Sequence, residues 1–254
     1  MRGGYMSKTS FDIETVALTH RGLVREVNED RYYVKRLGTD AMLLAMMDGM
    51  GGGPAGSAAA ETMREALREY PPRASDPEKT LCDLVVAASE AILGMVRNNP
   101  ALEGMGTTAT ATHLVNGVAH WVHVGDTRFY LLRCGELSQV TTDQTLVQVL
   151  VEEGRISGDE ARTHPYNHLL DQCVGCPMCE PVTGSLRIEH GDLLLYTTDG
   201  LHDALSEDDF REIMIAPHAS LEDKAAAFIQ AGLGTGGKDN LTVVMAAISD
   251  PAKI

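Results

Sequence analysis

The chain has 254 residues, 44% of them hydrophobic and 22% charged, enough for one large domain or two small ones with a substantial core. Its formal net charge of −15, with no concentrated block of Lys and Arg, argues against nucleic acid or an anionic membrane surface as a partner. No apolar run approaches the roughly 20 residues that span a bilayer, so a cytoplasmic protein is expected, and five cysteines, an odd number, point to reduced thiols rather than a disulfide framework.

Residues 1–11 lack periodicity and bulk and are expected to form a flexible extension. Apolar runs rich in branched residues predict strands at 32–37 and 42–47. Long helices follow at 56–70 and 79–98, with Ser75 and Asp76 as start signals for the second. Further strands are predicted at 108–115, 118–124 and 129–133, then a mixed polar segment at 143–168, a strand at 192–197, a helix near 220–231 and a strand at 241–248. Residues 251–254 are a tail. No repeat or shift of composition divides the chain, so 12–250 is read as one domain. Runs of strands separated by paired helices predict antiparallel sheets with helices packed outside, not a β-α-β alternation.

Aspartates recur at the ends of these strands. "AMLLAMMDGMGG" places Asp48 after one, "AHWVHVGDTR" Asp126 after another and "DLLLYTTDGLHD" Asp199 after a third, while in "GTGGKDNLTVVM" Asp239 precedes a strand. Asp-Gly is a common turn dipeptide, and any one of these acids alone reads first as a turn. Four of them at rigid element edges suggest a site instead. Carboxylates that converge in a cleft repel, so either their pKa values rise or a divalent cation neutralises them, and an all-oxygen set suits Mg²⁺ or Mn²⁺ better than zinc. In "HRGLVREVNEDRYYV", Arg25 offers a fork for phosphate or carboxylate and Asp30 a further metal ligand, although a solvated charged loop is the simpler reading of that stretch alone.

Two glycine patterns point elsewhere. Residues 51–56 spell G-x-G-x-x-G, which would make the chain a dinucleotide-binding oxidoreductase, but Asp48 would aim an anion at the pyrophosphate and Pro54 removes an amide from the cradle. Residues 232–239 begin like a P-loop, yet aspartate stands where a Ser or Thr should bind magnesium and a strand follows where a helix is required. "CVGCPMC" sets Cys173, Cys176 and Cys179 at three-residue spacing. Zinc with His164 or His168 as fourth ligand, or a redox sensor, is the lesser reading, and free thiols in a loop the preferred one, because a closed zinc site needs four ligands.

Taken in order, "GLVREVNED", "MMDGMGGGPAG", "GMGTTAT", "HVGDTRFYLLRCGEL", "TTDGLHDAL" and "GGKDNLTVV" resemble the metal-dependent protein phosphatases, the PPM or type 2C family, in its bacterial form, from about residue 13 to 250. The resemblance implies an α+β fold, a four-layer α-β-β-α sandwich with two central antiparallel sheets, and a binuclear Mn²⁺ or Mg²⁺ site at one end. By position it implies metal ligation by Asp30, Asp48, the Gly49 carbonyl, Asp199 and Asp239, with Glu29 an acid behind the ligands and Arg25 the phosphate-binding arginine. Asp126 matches the acid that helps hold a third metal, and 147–168 a flap beside the site. The implied reaction is hydrolysis of phosphoserine or phosphothreonine by water activated between two metals and attacking phosphorus in line. The leaving alkoxide needs a proton. Met50 stands where many eukaryotic relatives carry a histidine assigned that role, leaving His164 and His202 as candidates by proximity, each more simply a polar surface residue. His20 occupies a place where relatives commonly carry aspartate. The implied partners are phosphorylated proteins and an opposing Ser/Thr kinase, with the phosphatase a monomer. A catalytically silent phosphoprotein-binding module of the same fold is the alternative.

Overall fold

In the computed structural model the described residues run from Phe11 to Pro251, so most of the expected extension and tail lies outside them. Phe11, counted with the extension, is buried between the sheets. The strands are β1 (Asp12–His20), β2 (Arg31–Gly38), β3 (Ala41–Met47), β4 (Gly49–Met50), β5 (Gly106–Thr107), β6 (Ala109–Val115), β7 (Val118–Val124), β8 (Arg128–Arg133), β9 (Glu136–Gln139), β10 (Val182–Arg187), β11 (Leu193–Thr197) and β12 (Leu241–Ser249). The helices are α1 (Pro54–Arg68), α2 (Pro77–Asn98), α3 (Leu146–Glu152), α4 (Gly158–Arg162), α5 (Asp199–His202), α6 (Glu207–Ile215) and α7 (Leu221–Gly234).

Two five-stranded antiparallel sheets form the centre, ordered β1-β12-β11-β8-β9 and β10-β7-β6-β3-β2. Residue alternation explains the layering, because successive side chains of a strand point to opposite faces. In β3, buried along its whole length, Leu43, Ala45 and Met47 pack toward α1 and α2, whereas Met42, Leu44 and Met46 pack toward the other sheet. β12 does the same: Val243 and Met245 face α6 and α7, Val244 and Ala246 face the sheet opposite. Three apolar layers result, one between the sheets and one under each helix pair. This is the α-β-β-α sandwich.

Helix starts follow local chemistry. The Asp76 carboxylate accepts from the Lys79 amide at 3.1 Å ahead of Pro77, and Ser220 and Asp223 cap α7 reciprocally. The edge strands β1, β9 and β10 and the short helices α3 to α6 are not among the elements the sequence predicts. No helix among the described residues is long and apolar enough to cross a membrane.

Strand register gathers the acids. Arg31 pairs with Met47, so Asp30, before β2, lies beside Asp48, after β3. Ala109 pairs with Val124, which brings the turn holding Asp126 to the same end. In the other sheet Thr197 pairs with Val243 and His20 with Leu241, so Asp199, Asp239 and the Arg25 loop share that end as well.

Candidate metal centre

Asp30 is the most enclosed of the acids, 2% exposed. Its Oδ2 accepts from Thr198 Oγ1 at 3.0 Å and Thr242 Oγ1 at 2.5 Å, while Oδ1 is buried with no hydrogen-bond partner. Burial first, then the charges of Asp199 and Asp239, push its pKa up to about 7 against the pull of the two hydroxyls. Asp48 is raised well above the carboxylate range by burial and by Asp30, Asp199, Asp126 and Asp239. Asp199 is raised to about 6 by burial and then by Asp239 and Asp203. Each acid raises another, so they share one cluster. A buried carboxylate oxygen lacking any donor, amid other carboxylates, fits a divalent cation bound by oxygens.

The turn carrying Asp48 is held on both sides. Its carbonyl accepts from the Thr108 amide and Thr107 Oγ1, both at 2.8 Å, and its amide donates to Thr108 Oγ1 at 2.9 Å. Gly49 then passes so close to neighbouring backbone that a Cβ there would lie 2.2 Å from the Gly56 carbonyl oxygen and 2.9 Å from that of Glu29. Glycine here serves a close approach of chains, and the glycines at 51–53 run from β4 into α1 with no parallel β-α-β unit around them. Dinucleotide binding therefore has no scaffold. Glu29 itself is 6% exposed, with Oε1 unpartnered and its pKa raised by burial, against the pull of the Gly53 amide and Arg25.

At the rim Arg25 Nη2 donates to Asp239 Oδ2 at 2.6 Å, with the arginine side chain 48% exposed. Asn240 locks the two loops behind this pair: its Oδ1 accepts from the Glu29 amide at 2.8 Å, and its Nδ2 donates to the Arg21 and Val27 carbonyls. Asp126 is 8% exposed and raised well above the carboxylate range by burial and then by Asp199, Asp143 and Asp203. It lines a cleft of about 690 Å³ bounded on its far side by α3 and α4, the segment expected to form a flap.

Some functional candidates were not legible. Thr198, Thr242 and Asn240 stand next to the acids in sequence, yet only the fold reveals what they bond. His168 Nδ1 reaches Asp203 Oδ2 at 3.2 Å, and with Asp199 these residues place three potential ligand atoms within 4.8 Å of one another. His202, a sequence candidate for proton donation, is bonded through Nδ1 to Thr197 Oγ1 at 3.0 Å and kept neutral because burial pushes its pKa well below 6.5. His164 Nδ1 accepts from the Tyr166 amide within its own turn, and His20 Nδ1 likewise from the Gly22 amide.

The cysteine expectation is corrected. Cys173 and Cys176 are joined in a disulfide, leaving Cys82, Cys134 and Cys179 free. Two of the three sulfurs are thereby consumed, so neither a zinc set at Cys173, Cys176 and Cys179 nor a loop of three free thiols is present.

The sequence profile of the protein phosphatase 2C family matches residues 20–234. The chain is 38% identical over 252 residues to the serine/threonine protein phosphatase PstP of Mycobacterium tuberculosis, covering 96% of this chain and 47% of that protein. It thus spans about half the length of that relative. It is 30% identical over 248 residues to the protein phosphatase PhpP of Streptococcus pneumoniae, covering 94% of this chain and 98% of that one. A crystal structure of the PstP catalytic domain in complex with two manganese ions superposes with a TM-score of 0.84 at 38% identity, over 95% of this chain and 100% of that one. The chain belongs to the protein phosphatase 2C family.

Proposed function

We propose that this protein is a metal-dependent serine/threonine protein phosphatase, hydrolysing phosphoserine and phosphothreonine on proteins. The observation that carries the reading is the gathering of Asp30, Asp48, Asp199 and Asp239 at one end of the sandwich, with Asp30 Oδ1 buried and unpartnered. Asp30, Asp48, the Gly49 carbonyl, Asp199 and Asp239 would hold two Mn²⁺ or Mg²⁺ ions, and Asp126 would contribute to a third. When bound, such ions supply an activated water nucleophile and neutralise phosphate charge.

The chain's own residues do the rest. Arg25, half-exposed at the rim, orients the phosphate and offsets its charge with a planar fork. Thr198 and Thr242 fix one oxygen of Asp30 so that the other points into the cluster. Glu29 adds negative charge behind it. The acids deter an anionic substrate until cations neutralise them, which couples substrate binding to metal loading. Partners are phosphorylated proteins and a Ser/Thr kinase whose products this enzyme reverses, and the enzyme acts as a monomer.

A silent phosphoprotein-binding module would have no reason to maintain so costly a set of buried acids. Manganese-dependent release of phosphate from a phosphothreonine peptide, lost in Asp199→Asn and in Asp239→Asn, is the expected result. Turnover that persists in EDTA overturns it.

A further inference from the structure

The cysteine turn touches the strand that holds Asp48. Between Cys173 and Cys176 lie only Val174 and Gly175, and both are engaged. Val174 exchanges two backbone hydrogen bonds with Thr107, amide to carbonyl at 2.8 and 3.0 Å. The Gly175 amide donates to Ser89 Oγ, on α2, at 3.0 Å. Thr107 in turn donates its hydroxyl to the Asp48 carbonyl and pairs with Gly49 across the β4–β5 ladder. On the next rung, Gly106 pairs with Met50, and a Cβ at Gly106 would lie 3.0 Å from Cys173 Sγ. The sulfur therefore packs directly under the β4–β5 ladder. One hydrogen-bonded residue, Thr107, separates the cysteine turn from the Asp48–Gly49 turn.

A cross-link over three positions removes little entropy from the unfolded chain, so its effect is local rather than global. It fixes the turn, and the turn fixes Thr107. Cys173 is 1% exposed whereas Cys176 is partly exposed, so the pair is approachable from the Cys176 side only.

We propose that Cys173 and Cys176 form a reversible dithiol–disulfide pair whose oxidised state braces the Asp48–Gly49 turn and tightens divalent-cation binding, and whose reduction by a small or protein dithiol loosens it. In the exchange, a thiolate of the reductant attacks Cys176 Sγ, the bond between the two cysteine sulfurs breaks, and Cys173 leaves as thiolate and takes up a proton. The reductant's second thiol then attacks the mixed disulfide and releases Cys176. Two electrons and two protons pass to the protein, and the reductant departs as its disulfide. The inference rests on the proposed cation-holding role of Asp48 and Gly49.

The test uses the full chain, oxidised and then treated with dithiothreitol, with thiol state mapped by alkylation and mass spectrometry and manganese affinity measured by calorimetry. Reduction is expected to weaken manganese binding about tenfold or more, the range seen when groups behind metal ligands are lost. Reoxidation restores the affinity. The double variant Cys173→Ala/Cys176→Ala binds as the reduced protein does and ignores redox treatment, while Cys134→Ser, in the β8–β9 turn, responds like the parent. Equal affinity in both redox states, or the absence of a Cys173–Cys176 bond after oxidation, overturns this inference alone. Absence of manganese binding in both the oxidised and the reduced state overturns the cation reading and this inference with it.

Discussion

Arg25 and Asp239, 214 positions apart, are joined by a hydrogen-bonded ion pair of 2.6 Å at the rim of the acid cluster. On the proposed function, this pair holds the phosphate-binding guanidinium against one of the cation-binding acids. Arg25→Ala is expected to lower kcat/KM by about 10²-fold, the scale of one lost charge-stabilising donor, without weakening manganese binding. Arg25→Lys recovers part of the loss, since an ammonium keeps the charge and lacks the fork. Phosphopeptide kinetics beside calorimetry separate the two effects, and a parallel fall in metal affinity would count against the phosphate role.

Thr198 and Thr242 both donate to Asp30 Oδ2 and favour its ionised form. Replacing either by valine removes a hydrogen bond to the charged carboxylate and raises an already elevated pKa, so protons compete harder with cations. Manganese affinity is expected to drop about tenfold or more, and by a larger factor at pH 6 than at pH 8. Titrations at the two pH values decide it.

Stability should depend on pH differently with and without metal. The folded-state pKa values of Asp30 and Asp199, about 7 and about 6, stand above the usual 3.8, so their contribution is present below about pH 4 and lost as pH rises through 6 to 7. His113 and His123, pushed down to about 4 by burial, contribute with the opposite sign: stability present above pH 6.5 and lost as pH falls toward 4. In EDTA the two sets oppose each other across this window. Manganese competes with the protons on the acids, so the rise in Tm on adding it is expected to widen from pH 5.5 to pH 8. A gap independent of pH would show that the acids do not bind the ion.

Gly49→Ala forces a methyl into the backbone of Gly56 and Glu29, and is expected to cost at least about 1–3 kcal/mol and to displace the Asp48 turn. Gly158→Ala at the start of α4 meets nothing within 4 Å and should be neutral or stabilise by up to about 1 kcal/mol. Chemical denaturation of both variants provides the comparison. An unperturbed Gly49→Ala would mean that the close approach is not obligatory.

The acids were legible because each ends or begins a buried apolar strand, a pattern strong enough to mark Asp48, Asp126, Asp199 and Asp239 without knowing their neighbours. Their meeting is implied by the family resemblance but not by spacing, since it depends on register between strands such as β3 and β6, or β11 and β12, that lie far apart in the chain. β1 escaped notice because "DIETVALTH" is a partly exposed edge strand of mixed polarity whose partner, β12, begins more than 200 residues later. β10, "VTGSLR", is likewise an edge strand of mixed polarity, mostly exposed and paired only with β7. The cysteines misled for a different one: an odd count says nothing about whether two of them sit in one turn. The contact of His168 with Asp203 joins the segment after α4 to the end of α5, a relation carried by tertiary packing alone.

The register of β1 with β12 sets Asp12 opposite Ser249, while His20 and Leu241 close the other end of the same ladder beside Asp239. Chain entry and exit are therefore neighbours, some nine residues of extended strand, about 30 Å, from the acids. A tether joined to the sheet at Asp12 or Ser249 would therefore start from the end opposite the acids, so a support attached there would leave the acid cluster facing free solution.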